Sequence, residues 1–478
     1  MASPKDISEN QRKISIKVRK GVFVYAIFFG LLLFLKPGFN SNLDFESIGN
    51  YLIIFFIALM LFLYSQSKSN SNWFRIDFLF LIGFSIVHFQ WPAMFALSGI
   101  SPENIARVWV NSNYVNYGVW LSVIGIISWM IGYNWSKPVE IEKDKIESFD
   151  TKKLVFLAYA SFFLFLAFAG KDYLTGGVYK GTGGSAAGEG ISVYIRLVFF
   201  VSIILLTVLE ITSKAKSYQG NLFKWFLTLN KGYLLLTTLF VLLFLSVGDR
   251  SEPIGLVIVG LVFVGTYVRP VRLREFLLLF IVGALVMTLI SLGRSESTGI
   301  GLLTEGFSKF EFTSGYDVTL ELANSVRTLY MSLSNVPSNT GFFYGQLWLG
   351  DILSPLPFAQ SLLLSVSNIK AHELGSAGYI TYLTFGSNPQ SGEGTSLIGD
   401  IYLNFGSLGV VFFMFLFGMM LKKITNASFQ CLDMKWVIGF GVMASLCFYI
   451  SRSGLFVSTR SMVWALAFFV FFVTRMKK

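Results

Sequence analysis

Five arginines are the residues of this chain best suited to chemistry, because all five are predicted to lie at one face of its apolar segments. A guanidinium is planar and permanently charged, and it holds phosphate oxygens through paired hydrogen bonds. Two or three together could hold a diphosphate, although any one alone could simply extend toward lipid headgroups. The five are Arg250, Arg294, Arg327, Arg452 and Arg460.

Arg250 and Arg294 occur in similar motifs, Gly-Asp-Arg-Ser-Glu at 248–252 and Gly-Arg-Ser-Glu at 293–296. Each motif follows an apolar run, and the two runs are predicted to cross a membrane in the same direction. Both arginines should therefore reach the same mouth. Arg460 differs, because residues 455–474 are predicted to form one helix with Arg460 more than a turn inside it. A charge within a membrane helix indicates a functional site.

Carboxylates and a histidine are the candidate proton acceptors. Residues 391–409 begin an apolar segment with glycines and then place Asp400 and Asn404 four residues apart, on one face of a helix. The helix dipole accounts for a carboxylate in the first turn, but not for this pair. His372 stands beside Glu373, where either group could take a proton or merely face solvent.

Composition predicts the elements that hold these groups. Hydrophobic residues make up 54% of the 478 and charged residues 14%, a balance that is not typical of water-soluble domains. The apolar residues fall into runs long enough for an α-helix to cross a membrane. The twelve predicted spans are 21–36, 50–65, 76–98, 115–135, 153–170, 191–212, 232–248, 253–268, 275–292, 397–421, 435–450 and 455–474.

The positions of Lys and Arg predict the orientation. Most of the 38 Lys and Arg residues fall in segments that are cytoplasmic when the N-terminus is inside. Both termini are then cytoplasmic, and the net charge of +11 requires no nucleic-acid partner. The chain divides into membrane helices one to nine at 1–292, a large extracytoplasmic loop at 293–396 and helices ten to twelve at 397–478.

The long outer segment is predicted to contain short helices. At 315–333, apolar residues recur on one helical face and polar residues on the other, which predicts an amphipathic helix lying on a surface. Residues 341–358 combine aromatics, glycines and two prolines, which favours an interfacial or re-entrant segment packed against the membrane helices. By its size, the outer segment is the natural cover for a site.

Several classes of function have no signature in this sequence. The chain has no phosphate-binding Gly-rich loop, no paired-His metal motif and no nucleophile elbow. Its two cysteines provide no thiol metal site. No convincing internal repeat of the kind found in transporters is present. We therefore expect neither a metal nor a cofactor.

The stretch 394–409, Gly-Thr-Ser-Leu-Ile-Gly-Asp-Ile-Tyr-Leu-Asn-Phe-Gly-Ser-Leu-Gly, resembles the bacterial O-antigen and capsule repeat-unit polymerases of the Wzy type. So do Gly-Gln-Leu-Trp-Leu-Gly at 345–350, Gly-Asp-Arg at 248–250 and the layout of the whole chain. The resemblance implies an all-α, polytopic glycosyltransferase of the GT-C class. It would join undecaprenyl-diphosphate-linked oligosaccharides at the outer face of the bacterial inner membrane, without a nucleotide sugar. It also allows for a chain-length regulator protein as a partner.

We predict that arginines hold the diphosphate of the donor. Arg250 and Arg294, with Arg452 or Arg460, would stabilise the charge that develops as the diphosphate leaves, so that no metal is required. Three further residues are candidates for substrate binding. They are Arg327, Asn404 and Tyr402.

The proton acceptor is predicted less directly. Four groups compete for the role, namely Asp400, His372, Glu373 and Glu393. Asp400 ranks first, because it alone lies in the motif that carries the resemblance and in a helix of fixed position. If Asp400 is instead locked against a distant partner, the loop residues inherit the role, His372 foremost.

Two other functions remain open. An O-antigen ligase would use the same lipid-linked donor and pass the glycan to the lipid A core. A flippase or other transporter would move the lipid-linked oligosaccharide without chemistry, and it would show a midplane site open alternately to both sides. Neither the sugars nor the linkage follow from the sequence.

Overall fold

The structure is a computed structural model that describes residues 21–67, 71–98, 108–136, 149–174, 191–294, 296–310, 317–389, 391–430 and 433–475. Within these residues the chain is α-helical, apart from two short strands, β1 (Phe149–Asp150) and β2 (Thr474–Arg475), which pair antiparallel. The prediction of an all-α fold is confirmed for this part. Residues 1–20 and 476–478, the predicted cytoplasmic ends, lie outside the described residues.

A helix covers each of the twelve predicted spans. Seven of the described helices are long and apolar enough to cross a membrane, and the total of twelve crossings remains a prediction. The twelve helices are α1 (Gly21–Phe34), α2 (Phe45–Ser67), α3 (Ile76–Ser98), α4 (Val115–Trp135), α5 (Lys152–Phe168), α6 (Ile191–Lys214), α7 (Lys231–Val247), α8 (Ser251–Phe263), α9 (Leu273–Gly293), α10 (Leu397–Gln430), α11 (Met434–Leu446) and α12 (Thr459–Phe472).

The centre of the assembly is the contact between α4 and α10. Helix α4 is buried on nearly every side. Glycines bring the two backbones together, since a Cβ on Gly132 would lie 2.0 Å from the Phe415 carbonyl oxygen. A Cβ on Gly418 would lie 2.2 Å from the Trp129 carbonyl oxygen. Small residues at helix contacts are typical of membrane bundles, and this contact fixes the position of α10.

Connections that are predicted to share a side of the membrane lie next to each other. Trp73 N donates to the Val271 carbonyl oxygen at 2.9 Å, which joins the segments before α3 and α9. The β1–β2 pair joins the start of α5 to the end of α12. On the other side, Ser41 N donates to the Asn113 carbonyl oxygen at 3.1 Å. These contacts agree with the predicted order of the connections, while the alternation of all twelve helices and the cytoplasmic assignment of either side remain predictions.

The long segment before α10 contains several short helices and 3₁₀ turns. The helices are Gly301–Lys309, Leu320–Ala323, Arg327–Asn335, Leu349–Leu353, Ala359–Val366 and Ser376–Phe385, and the turns are Asp317–Thr319, Asn324–Val326, Gln346–Trp348 and Ala371–Leu374. Two shorter helices lie elsewhere, at Gly170–Leu174 and Leu222–Phe226.

The predicted surface helix at 315–333 is wrong. From Asp317 the described part is broken into short turns, and the helix Arg327–Asn335 packs inside the assembly, against α4 and α10. The polar residues Glu321 and Asn324 are exposed, as the pattern predicted. The buried face, however, also carries Thr328 and Ser332, whose hydroxyls donate to carbonyl oxygens one turn back, at 2.8 and 2.7 Å. A hydroxyl satisfied in this way can be buried at little cost.

Candidate functional site

Arg250 lies in the tight connection between α7 and α8. Helix α7 ends at Val247, and Gly248 adopts a left-handed conformation with φ of 91°. The N–H groups of Gly248 and of the next residue bond back to carbonyls of the last turn, at 3.0 and 2.9 Å. Glycine is favoured at such a position because it has no Cβ. Helix α8 begins at Ser251, so the connection holds Arg250 at the end of both helices.

Arg250 and Arg294 converge on one carboxylate, that of Glu321. Arg250 Nη2 donates to Glu321 Oε1 at 2.7 Å, and Arg294 Nη2 lies 3.6 Å from the same oxygen. The Ser291 hydroxyl donates to Glu321 Oε2 at 2.6 Å. Arg250 Nη1 also donates to the Met287 carbonyl oxygen, at 2.8 Å. The structure therefore brings together the two arginines that the motifs predicted at one mouth, although Ser295 of the second motif lies outside the described residues.

We call Arg250, Arg294 and Glu321 the arginine cluster. Burial opposes ionisation of Glu321, but hydrogen bonds from Arg250 and Ser291 and the charges of both arginines outweigh it and lower the pKa of Glu321 to about 2. Two guanidiniums thus face one ionised carboxylate whose side chain is 48% exposed. Among its three described members, two guanidiniums meet one partly exposed carboxylate, an arrangement that suits an anion with several oxygens.

Tyr449 connects the arginine cluster to a further arginine. The charges of Arg250, Arg452 and Glu321 all act on the Tyr449 hydroxyl, so these groups lie near one another. Arg452 ends the 3₁₀ turn Ile450–Arg452, which begins the connection from α11 to α12. Three of the five predicted arginines therefore lie in one region.

The acidic neighbours of Arg250 in the sequence turn away from it. Arg196 in α6 donates to Asp249 Oδ2 at 2.6 Å and to Glu252 Oε1 at 2.8 Å. The Tyr173 hydroxyl also donates to Asp249, at 3.3 Å. We call Arg196, Asp249, Glu252 and Tyr173 the Arg196 network. Because Asp249 and Glu252 pair with Arg196, these two carboxylates do not pair with Arg250.

Asp400 is buried and fully engaged by protein donors. Its Oδ2 accepts hydrogen bonds from Trp348 Nε1 at 2.9 Å and from Leu455 N at 2.8 Å, and the Ser376 side chain also bonds to it. Asp400 is 1% exposed. It therefore joins α10 to the outer segment and to the connection before α12, which is the locked arrangement considered above.

Asn404 and Tyr402 also bind protein groups. The helical path of α10 is interrupted at Gly406, where φ is 65° and ψ is −162°. Asn404 Oδ1 accepts from Gly345 N at 3.0 Å, and its Nδ2 donates to the Asp400 carbonyl oxygen at 2.9 Å. The Tyr402 hydroxyl donates to the Val336 carbonyl oxygen at 3.0 Å. Both side chains are buried and hold the outer segment on α10.

The interruption at Gly406 leaves carbonyl oxygens of α10 that the outer segment can bind. Carbonyls before a helix break lack their usual partners. Here Phe343 N donates to the Leu403 carbonyl oxygen at 3.1 Å, and Tyr344 N donates to that of Asn404 at 2.9 Å. Residues 341–348 are thus packed against a membrane helix, as was predicted for 341–358.

A second carboxylate lies close to Asp400. A Cβ on Gly454, in the connection before α12, would lie 3.2 Å from Asp351 Oδ2 and 3.4 Å from Asp400 Oδ2. Burial raises the pKa of the Asp351 carboxyl above its ordinary value, and the nearby charge of Arg460 offsets this only in part. Sequence reasoning noted Asp351 only for its segment and did not select it as a site residue.

The predicted depth of Arg460 is wrong. Helix α12 begins at Thr459 rather than at residue 455, because residues 455–458 form turns. Arg460 therefore lies in the first turn of the helix and not more than a turn inside it. Its position at the helix end, beside Asp351, needs no burial of an isolated charge within the membrane.

His372 and Glu373 form a separate pair in the outer segment. The ring of His372 stacks flat on Tyr382, with centroids 3.8 Å apart, and His372 Nε2 lies 3.9 Å from Glu373 Oε1. Glu373 Oε2 accepts from Gln346 Nε2 at 3.2 Å and from Lys370 N at 3.4 Å. Both side chains are about one-quarter exposed, so they are neither free surface groups nor buried ones.

Arg327 and Glu393 pair with each other. Arg327 Nη1 lies 3.5 Å from Glu393 Oε1. Arg327 Nε is buried and has no hydrogen-bond partner among the described residues. The structure records no contact between this pair and the arginine cluster within the described part of the chain.

Sequence reasoning missed Arg196, Glu321 and Asp351 as site residues. The available signal for Arg196 was a charge inside a predicted span, the same signal that was used for Arg460. Within the described residues, no group of three or more His, Cys, Asp or Glu side chains could hold a metal ion. Comparison of the chain with models of known protein families, with curated proteins and with solved structures finds no match.

Proposed function

We propose that this chain is a metal-independent glycosyltransferase that joins undecaprenyl-diphosphate-linked repeat units into a surface polysaccharide at the outer face of the bacterial inner membrane. The observation that carries the proposal is the arginine cluster, in which two guanidiniums from different helix ends share one carboxylate. Such a group matches a diphosphate, whose charge grows as its bond to sugar breaks. The apolar helices suit a lipid-linked substrate, and the resemblance of residues 394–409 favours this substrate class.

In the reaction, a hydroxyl of the acceptor oligosaccharide attacks the anomeric carbon of the donor. The bond from that carbon to the diphosphate breaks, and the diphosphate leaves with the electron pair. Arg250 and Arg294, with Arg452 nearby, stabilise the leaving charge. Because Glu321 holds the two guanidiniums in place before the donor arrives, little reorganisation is required when the charge develops.

The acceptor's proton must go to a base within about 3 Å of the attacking hydroxyl. Asp400 already accepts from Trp348 and Leu455, so we propose that it positions the outer segment rather than accepting the proton. Of the groups named from the sequence, His372 and Glu373 remain candidates.

The proposal is tested by deleting the gene and separating the surface polysaccharide on a gel. Loss of the long-chain ladder with one repeat unit retained is the expected result, because export and attachment of single units do not need the polymerase. A plasmid copy of the gene should restore the ladder. An unchanged ladder in the deletion strain would refute the proposal.

The same gel separates the rival functions. Loss of all attached glycan would indicate a ligase or a flippase. If the gene encodes a ligase, the deletion strain would still contain lipid-linked polymer on the outer face. If it encodes a flippase, the deletion strain would accumulate single lipid-linked units on the inner face. Either result would contradict polymerisation as the role of this chain.

A further inference from the structure

The connection from α11 to α12 touches both charged regions described above. Near its start, the charges of Arg250 and Glu321 act on the Tyr449 hydroxyl. Five residues later, Gly454 lies against Asp351 and Asp400. Five residues of chain span at most about 18 Å between Cα atoms, and this stretch includes a 3₁₀ turn and is shorter. This connection therefore links the region of the arginine cluster to that of the two carboxylates.

The two carboxylates differ in what they are free to do. Asp400 is buried and accepts from Trp348, Leu455 and Ser376. The Asp351 carboxylate is only partly buried, and it makes no hydrogen bond or ion pair within the described residues. A partly buried carboxylate that makes no hydrogen bond or ion pair with the described residues is available to a ligand hydroxyl.

We propose that Asp351 is the base that takes the proton from the acceptor hydroxyl, an inference that rests on the proposed function. As the new carbon–oxygen bond forms and the diphosphate leaves, the hydroxyl proton moves to a carboxylate oxygen of Asp351. Arg460 faces Asp351 from α12 and can orient the acceptor or stabilise the ionised carboxylate. Asp400 holds the Trp348 turn that precedes Asp351, so it acts on the base through position alone.

The direction of the Asp351 pKa agrees with this role. Burial raises the pKa of the carboxyl above its ordinary value, with Arg460 opposing. A carboxylate whose pKa lies closer to neutrality is a stronger general base than a solvated one.

The geometry favours Asp351 over His372 and Glu373. Gly350, the residue before Asp351, faces the His372–Glu373 turn, because a Cβ there would lie 2.6 Å from the Leu374 carbonyl oxygen. Asp351 itself faces Gly454. The short helix Leu349–Leu353 thus separates the His372–Glu373 pair from the connection that leads to the arginine cluster. Of these three groups, Asp351 lies on the side where a donor would be held.

The test compares Asp351→Asn with His372→Gln and Glu373→Gln in the complemented deletion strain. Lipid-linked repeat units extracted from the deletion strain serve as substrate for membranes that contain each variant. We expect Asp351→Asn to slow polymer formation about 10²- to 10⁴-fold, as for loss of a general base. Binding of undecaprenyl diphosphate to the purified variant should stay within about twofold of wild type, since the arginine cluster is untouched. His372→Gln and Glu373→Gln remove the rival bases, and each should slow polymer formation less than Asp351→Asn does.

Asp351→Glu gives a second, independent readout. It keeps a carboxylate at a shifted position, so its rate should lie between those of wild type and Asp351→Asn, with equal accumulation in membranes. Near wild-type rates from Asp351→Asn, or a larger loss from His372→Gln, would overturn the assignment while leaving the proposed function intact. A deletion strain that keeps its polymer would remove both proposals together.

Discussion

The Arg196 network and the arginine cluster both take residues from the short stretch 249–252, and they have opposite charge balance. Asp249 and Glu252 turn toward α6, where two carboxylates surround one guanidinium. Arg250, which lies between them in the sequence, turns toward α9, where two guanidiniums share the carboxylate of Glu321. Neighbouring residues of one short stretch thus belong to two different sites, the Arg196 network and the arginine cluster.

The difference separates a structural ion network from a candidate binding site. In the Arg196 network each charged group has a partner from another helix, so the network joins α6 to the α7–α8 connection. In the arginine cluster the positive charge exceeds the negative charge, and Glu321 is 48% exposed. Because both nearby carboxylates pair with Arg196, the guanidiniums of the arginine cluster can bind an anion.

The largest expected effect comes from breaking the network. Arg196→Leu leaves Asp249 and Glu252 buried beside each other without a cation, which should lower the free energy of unfolding by about 3–5 kcal/mol. Thermal unfolding of the purified protein in detergent measures this loss. Arg196→Leu combined with Glu252→Gln should recover part of it, because one buried charge is removed. An unfolding temperature of Arg196→Leu equal to wild type would show that the network carries no stability.

The second-largest expected effect comes from removing one arginine of the arginine cluster. Arg250→Ala or Arg294→Ala should slow polymer formation about 10²- to 10³-fold, as for loss of one preorganised donor, with the protein still present in the membrane. Arg250→Lys should recover activity only in part, since an ammonium cannot reproduce the two-pronged contact. Arg274→Ala is the matched control, because Arg274 is an exposed arginine in the first turn of α9, at the end away from Arg294. Full-length polymer from either cluster variant would exclude that arginine from the mechanism.

The smallest effect concerns Glu321. Its folded-state pKa of about 2 lies below the ordinary value of 4.5, so the stability that its ionised form contributes is present above about pH 4.5 and is lost as the pH falls toward about 2. Wild type should therefore lose unfolding temperature over this range relative to Glu321→Gln, whose side chain does not titrate. A constant difference between the two proteins from pH 5 to pH 2.5 would contradict the depressed pKa.

The positions of the helices could be predicted because long apolar runs report them directly. The spans 76–98 and 115–135 coincide with α3 and α4 to the residue. The approach of Arg250 to Arg294 also followed from sequence, since two helices running in the same direction must end at the same side. The wrong start of α12 arose from the apolar residues at 455–457, Leu-Phe-Val, which form turns but have the hydropathy of the helix that follows.

Partners from distant parts of the chain could not be predicted. Arg196 and Glu252 are 56 residues apart, and Arg250 and Glu321 are 71 apart, with no local pattern linking either pair. The engagement of Asp400 by Trp348 and Leu455 could not be predicted for the same reason, because it depends on two segments that meet only in the fold. A buried carboxylate looks alike in sequence whether it binds substrate or protein.

The interrupted helix α10 also has a consequence for how the chain is made. Residues 341–348 bind backbone carbonyls of Leu403 and Asn404, which the ribosome adds about sixty residues later. If the predicted topology holds, the outer segment is translocated first and stays undocked until α10 has been inserted. A nascent chain that stops at Glu393 should therefore expose residues 341–348 to an external protease, and a chain extended through Gln430 should protect them. Assembly of the outer segment is thus post-insertional, and variants that disturb the Gly406 break should be recognised first by quality-control proteolysis of this segment.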